Sequence, residues 1–86
     1  MKQAPEFFGD VDLALVYIAK RLKDALRIEE AFTLAGLDYL VEPDTYTGGL
    51  IFRTERVGAF FYVVPDKVES ARAVLSALGF KPYSER

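Results

Sequence analysis

The sequence predicts an α+β fold in which one strand–helix–strand unit occurs twice. Three observations lead to this prediction: an apolar, aromatic and β-branched run at residues 57–64, a helical period that appears twice, and a glycine followed by an apolar residue at both helix ends. With 86 residues, 51% of them hydrophobic, the chain has the size and composition of one folded domain.

Residues 1–11 contain Pro5 and Gly9 without a regular period, and we expect an irregular lead-in there. The first strand is predicted at residues 12–19, whose run Leu-Ala-Leu-Val-Tyr-Ile-Ala is apolar on both alternating faces. The run at residues 57–64 has the same property and ends at Pro65. Both strands are therefore expected at the centre of the sheet, where two faces need cover.

The first helix is predicted over residues 23–35, where apolar residues recur at i, i+3, i+4 and i+7. Gly36 is expected to end this helix in the left-handed conformation, with Leu37 packing back on Phe32. The residues of the apolar stripe are Ile28, Ala31, Phe32 and Ala35.

The second helix is predicted to begin with a capping box, in which Asp66 caps the helix and Glu69 returns the hydrogen bond. Gly79 should end it as Gly36 ends the first helix. Phe80 is then placed to contact Leu75, which repeats the arrangement predicted for Leu37 and Phe32.

A second strand is predicted at residues 38–42, and residues 43–49 are expected to form a long loop that is rich in Pro, Asp, Thr and Gly. Extended chain is expected to resume at residues 50–54 and to turn through residues 55 and 56 into the central strand. A short edge strand at residues 81–84 completes the predicted elements.

This order of elements predicts the ferredoxin-like split βαβ plan, βαββαβ, a two-layer sandwich with an antiparallel sheet and both helices on one face. The other face of the sheet lacks a cover, so we expect it to be the interface of a homo-oligomer. This assumes that Val16, Ile18, Phe61 and Val63 face the helices. The predicted interface residues are then Leu15, Tyr17, Phe60 and Tyr62.

The composition removes several classes of function. Without cysteine or histidine, the chain has no disulfide, no thiolate chemistry and neither of the commonest transition-metal ligands, so we expect no enzyme, no metal and no cofactor. No stretch approaches the roughly 20 apolar residues of a membrane span, and residues 1–10 lack the apolar core of a secretory signal. We therefore expect a cytoplasmic protein that makes no contact with a membrane.

The most ligand-like segment lies in the predicted loop, where glycines allow backbone N–H groups to approach an anion and hydroxyl groups add donors. A plain turn explains the same residues. Candidate ligand-binding residues are Thr45, Tyr46, Thr47, Gly48 and Gly49. The basic run at residues 20–27 is interpreted as a solvated helix face that Glu29 and Glu30 balance.

RNA-recognition modules use the same predicted plan. Residues 16–18, Val-Tyr-Ile, fit the first of their two strand motifs, but the second motif is matched here only at Arg56, Ala59 and Phe60. With a net charge of −2 as well, nucleic acid is an unlikely partner. Because the motifs match in part, a single-stranded nucleic-acid-binding module that uses the aromatic sheet face is kept as the alternative function.

Two segments are similar to small bacterial signal-transducing domains that are related in fold to the PII regulators. They are residues 28–31, Ile-Glu-Glu-Ala, with Ala-Gly-Leu at 35–37, and residues 63–66, Val-Val-Pro-Asp, with Glu-Ser-Ala at 69–71 and Leu75. Residues 47–52 also resemble the PII phosphate-binding loop, although its aspartate and lysine are missing here. The resemblance implies a regulatory domain with a small-molecule effector or a protein partner.

Two further groups share the predicted topology. The amino-acid-binding ACT domains would imply another small-molecule sensor. A dimeric αβ-barrel enzyme is the weakest alternative, because the chain has neither histidine nor cysteine for acid–base or nucleophilic chemistry.

Overall fold

The computed structural model describes residues 1–48 and 54–83, and it confirms the α+β class. Two short 3₁₀ turns, Pro5–Phe8 and Pro65–Lys67, precede the first strand and the second helix. The main elements in chain order are β1 (Ala14–Ala19), α1 (Leu22–Leu34), β2 (Leu40–Gly48), β3 (Thr54–Val63) and α2 (Val68–Ala77).

The three strands form one sheet in the order β1-β3-β2, with both pairs antiparallel. The position of β3 in the middle confirms the prediction made from its two apolar faces. β1 lies at an edge of this sheet, not at its centre as predicted. On the far side of β1, the backbone N–H of Tyr83 donates to the carbonyl oxygen of Val16 at 2.7 Å. Residues 81–83 are otherwise not a strand, and Ser84 lies outside the described residues.

The hairpin between β2 and β3 is longer than predicted. Its pairing runs without interruption from Leu40 opposite Tyr62 to Gly48 opposite Thr54. The predicted loop at residues 43–49 is therefore wrong as far as Gly48, and so is the turn at residues 55 and 56. Threonine and tyrosine favour strands, and an edge strand tolerates the proline at position 43. Residues 49–53 lie outside the described part of the chain.

Both helices end as predicted. Gly36 and Gly79 have φ angles of 75° and 88°, which lie in the left-handed region that favours glycine. After each glycine, the N–H of the next residue reaches back across the last helical turn, which is the Schellman arrangement. These bonds run from Leu37 to the carbonyl of Phe32, 3.0 Å, and from Phe80 to that of Leu75, 2.9 Å.

The start of α2 differs from the prediction. Asp66 belongs to the 3₁₀ turn, and the residue in the N-cap position is Lys67, which makes no side-chain capping bond. The predicted capping box between Asp66 and Glu69 is therefore wrong. Pro65 fixes its own φ and begins the 3₁₀ turn, so that regular helix starts only at Val68.

The core lies between one face of the sheet and both helices. Three of its aromatic rings meet edge-on or stacked: Phe32 lies 5.4 Å from Tyr39 and 5.9 Å from Phe61, measured between ring centroids. The hydroxyl of Tyr39, a residue that is 1% exposed, donates to the carbonyl of Glu29 at 3.1 Å. The buried core residues are Val16, Ala19, Ala25, Ile28, Phe32, Leu37, Tyr39, Phe61, Val63, Ala71 and Leu75.

The N-terminal segment begins beside the edge of the sheet that β2 forms. Lys2 forms a parallel bridge with Tyr39, and the ammonium group of Lys2 lies 3.5 Å from the carboxylate of Glu29. From there the chain must reach β1 at the opposite edge of the sheet. Phe8, on this crossing, is buried but does not belong to the core cluster, and the same is true of Leu40 and Phe60.

Candidate functional site

The face of the sheet that turns away from the helices carries the candidate site. Phe61 and Val63 belong to the core, so the alternating residues Phe60 and Tyr62 stand on the opposite face, which we call the outer face. Residues that pair with these positions share that face. By this register the outer face also carries Leu15 and Ile18 from β1, Arg56 and Gly58 from β3, and Leu40, Glu42, Asp44 and Tyr46 from β2.

Tyr17 does not lie on the outer face, contrary to the prediction. The register of β1 against β3 shifts between Leu15 and Tyr17, so that Tyr17 pairs with Phe61. This β-bulge turns both Val16 and Tyr17 toward the helices, and the ring of Tyr17 lies 5.3 Å from that of Phe80. Ile18 consequently moves to the outer face, where the prediction had placed Tyr17.

The other three predicted interface residues do share the outer face, but they differ in exposure. Phe60 is only 8% exposed and offers little surface to a partner, whereas Leu15 and Tyr62 are half-buried. Burial raises the pKa of the Tyr62 phenol, and the nearby carboxylates of Glu42 and Asp44 raise it further. An apolar strip therefore lies beside an acidic one, and association through it stays a prediction.

The ring of Tyr46 lies against Gly58, a buried glycine of the neighbouring strand β3. A Cβ built on Gly58 would come 3.1 Å from Cε1 of Tyr46 and 3.0 Å from Cγ2 of Ile18. The absence of a side chain at Gly58 thus allows two outer-face residues from different strands to approach each other. The Nζ atom of Lys20 lies 5.3 Å from the centroid of the Tyr46 ring, within range of a cation–π contact.

A cleft of about 400 Å³ opens beside this group of residues. Its lining combines β1 and the residue that follows it with one residue of β2 and with the C-terminal segment. Three tyrosines and two lysines make up most of the wall, and none of the carboxylates in residues 1–48 and 54–83 contributes to it. The lining residues of this Tyr46 cleft are Tyr17, Ile18, Lys20, Tyr46, Lys81 and Tyr83.

The predicted ligand-binding segment is extended chain over its described part. Thr45, Tyr46, Thr47 and Gly48 belong to β2, and Gly49 lies outside the described residues. Successive N–H groups of a strand point in opposite directions, so they do not converge on an anion as those of a glycine-rich loop can. Tyr46 of this segment lines the cleft.

The sequence pattern did not identify the two lysines as site residues. Lys20 falls in the basic run that is interpreted as a solvated helix face, and Lys81 falls in the predicted edge strand. Their partner Tyr46 is distant from both in the chain, and only the strand register together with the return of the C-terminal segment brings the three side chains to one cleft. The residues of the predicted basic run also do not form one surface. The guanidinium carbon of Arg27 lies over the ring of Phe80, 5.2 Å from the ring centroid.

Two other kinds of feature are absent from residues 1–48 and 54–83. No group of three or more acidic side chains there could hold a metal ion. None of the helices in these ranges has the length and apolar character needed to cross a membrane.

Comparisons of the chain with protein-family models, with curated proteins and with solved structures found no match. The resemblance to PII-like signal-transducing domains accordingly remains a prediction from residues 28–37 and 63–75. The function of this chain must be argued from its own fold and side chains.

Proposed function

We propose that this chain is a non-enzymatic regulatory domain of ferredoxin-like fold that associates with a second copy of itself through the outer face. The strand order β1-β3-β2 and the two helices on one face support the βαββαβ plan. The hydrogen bond from Tyr83 to Val16 supports it further, because the fourth strand of this plan would run beside β1.

The distribution of charge on the outer face carries the proposal. Ile18 and Tyr62 form an apolar centre, and Glu42 and Asp44 lie on its β2 side. The basic side chains are Lys20, which follows β1 and extends its Nζ atom toward the Tyr46 ring, and the exposed Arg56 of β3. A face that carries acidic and basic side chains on different strands can pair with an identical face. The rotation that relates the two copies must place the acidic side chains of one copy over the basic side chains of the other.

A two-fold axis parallel to the strands meets this requirement. It places β1 of one copy over β2 of the other and keeps the height along the strands unchanged. Ala19 pairs with Ala59, which pairs with Pro43, so the next residues, Lys20 and Asp44, stand at the same height. Each Lys20 would then face Asp44 of the second copy, and this pairing occurs twice.

The association should be weak. Phe60 is already buried, and Tyr17 points toward the helices, so the free apolar surface is smaller than the four predicted residues indicated. Interfaces that bury less than about 1,200 Å² in total are typical of transient complexes. We expect a monomer–dimer equilibrium at high micromolar concentration.

Charge exchange between the two edges is the sharpest test. Sedimentation equilibrium should show that Lys20→Asp and Asp44→Lys each weaken the dimer, whereas the double variant restores it, because the pair is rebuilt with reversed signs. Lys23→Asp, an exposed charge reversal on α1, is the matched control and should leave the dimer intact. A monomeric wild type at high micromolar concentration, or a double variant weaker than both single variants, would overturn this interface.

Binding of single-stranded nucleic acid is the second candidate, and the lysine–tyrosine composition of the Tyr46 cleft favours it, because bases stack on aromatic rings. The acidic side chains of Glu42 and Asp44 on the same face oppose it. Fluorescence anisotropy with a labelled octanucleotide at low salt separates the two. Tight binding that charge reversal at Lys20 abolishes would replace the regulatory proposal with this one.

A further inference from the structure

We propose that the Tyr46 cleft binds a small organic anion that carries a planar ring. This goes beyond self-association and does not require it; the two compete, because Lys20 and Ile18 belong both to the cleft and to the proposed interface. The cleft has a volume of about 400 Å³, within the roughly 300–1,000 Å³ of small-molecule sites. It is built from three separate parts of the chain, so that folding is required to form it.

The charge of the lining selects an anion. Lys20 and Lys81 both contribute to the wall, and among the described residues no aspartate or glutamate lines it to neutralise them. The protein as a whole has a net charge of −2, so this positive region is local. Two ammonium groups that border one cleft without a carboxylate can share a phosphate or carboxylate group between them.

The aromatic residues select a ligand with a ring. The Tyr46 ring is seated against Gly58, where a Cβ would come within 3.1 Å of it, and Lys20 lies over the ring. Tyr83 is positioned by its backbone hydrogen bond of 2.7 Å to Val16. The packed Tyr46 ring offers a flat surface for stacking, the backbone bond brings Tyr83 to the same cleft, and the phenol hydroxyl groups can donate to an anionic oxygen.

Two other cavities differ from this combination. A cleft of about 520 Å³ includes Tyr62 and Tyr83, but Arg72 is the one cation among its described lining residues. A cleft of about 280 Å³ between the start of α1 and the sheet is lined by Lys20, Arg21 and apolar residues such as Val57, but by no aromatic ring of the described residues. An anion bound there would have no ring to stack on. Lys20 lines both this cleft and the Tyr46 cleft. Its Nζ atom lies over the Tyr46 ring, so its charge is directed toward the Tyr46 cleft.

Three probes separate the contributions of charge and ring: phenyl phosphate, inorganic phosphate and benzyl alcohol. Titrations followed by NMR of isotope-labelled protein should show phenyl phosphate binding at least about tenfold more tightly than either of the others, since it alone satisfies both features. The shifted amides should include those of Ile18, Tyr46 and Tyr83. Equal affinity for phenyl phosphate and inorganic phosphate, or shifts confined to another part of the molecule, would overturn the proposal.

Substitution of the lysines provides the matched comparison. The Lys20→Met/Lys81→Met variant should lose about tenfold or more in affinity for phenyl phosphate, whereas Lys23→Met/Lys67→Met, which removes two exposed lysines elsewhere, should bind as the wild type does. An equal loss in both variants would show that net charge alone attracts the probe. Measured in a Tyr62→Glu background, which blocks association, the result is independent of whether the dimer proposal holds.

Discussion

The ring of Tyr46 lies directly against Gly58 of the neighbouring strand, at the distance where a Cβ on Gly58 would meet Cε1 of the ring at 3.1 Å. The contact explains why a glycine is suited to the middle of a central strand, where it usually weakens the sheet. It also fixes the position of the ring that Lys20 approaches.

Gly58→Ala should destabilise the protein by about 1–3 kcal/mol, because the added methyl group overpacks against Tyr46 and Ile18. The loss should be smaller when Tyr46 is also alanine. Urea unfolding of wild type, both single variants and the double variant gives the coupling free energy between the two positions. Additive losses would show that the ring and the glycine are not in contact.

The edge of β2 that points away from β3 is protected against pairing with another strand. Tyr39 uses its N–H and carbonyl to bond Met1 and Gln3, which shows that its backbone groups point away from β3. Alternation turns Pro43 and Thr45 outward as well. Pro43 has no N–H, and the Thr45 N–H donates to Oδ1 of its neighbour Asp44 at 2.8 Å.

Pro43→Val/Asp44→Ala should therefore expose this edge and lead to assemblies larger than those of the wild type. Light scattering over time at one fixed concentration measures the effect. The chain offers an identical dipeptide as a control, since Pro65→Val/Asp66→Ala makes the same replacements in the turn before α2. If the assemblies of both variants grow similarly, general destabilisation and not the exposed edge of β2 is the cause.

Stability should fall at alkaline pH. Burial is the main cause that raises the pKa of Tyr17, Tyr39 and Tyr62 above that of a free tyrosine; nearby carboxylates add to it, and for Tyr39 a hydrogen bond from Thr33 opposes it. The unfolded chain then binds fewer protons than the folded one. The stabilising contribution is complete below pH of about 10 and is lost as the pH rises through the higher folded-state pKa values.

Tyr39→Phe separates this effect from the titration of other groups. It should lower the urea midpoint at neutral pH by removing the hydrogen bond to Glu29, yet show a shallower decline between about pH 9 and about pH 11 than the wild type. Parallel declines would mean that Tyr39 does not contribute to the alkaline transition.

Gly79 should be sensitive to replacement for a purely conformational reason. Its φ is 88° and a Cβ would meet nothing within 4 Å, so no steric clash is involved. Gly79→Ala should cost about 1–2 kcal/mol, and Gly79→Asn less, because asparagine enters the left-handed region more readily. Thermal unfolding of the two variants decides it, and a greater loss for asparagine would contradict this account.

The sequence by itself determined the elements whose cause is local. The apolar period of residues 23–35 predicted α1 to within one residue at each end, and the glycines at 36 and 79 predicted both Schellman ends. The two apolar faces of residues 57–64 predicted the central strand. These features follow from periodicity and backbone conformation, which a short stretch of chain carries on its own.

The tertiary structure decided everything that depends on pairing across the sheet. The bulge at Val16 reverses the face of Tyr17, and the long hairpin turns residues 43–48 from a predicted loop into β2. A one-residue change in register moves every following side chain to the other face, and no local pattern records it. The Tyr46 cleft arises in the same way, because Lys20, Tyr46 and Lys81 meet only when three distant segments are brought to one edge of the fold.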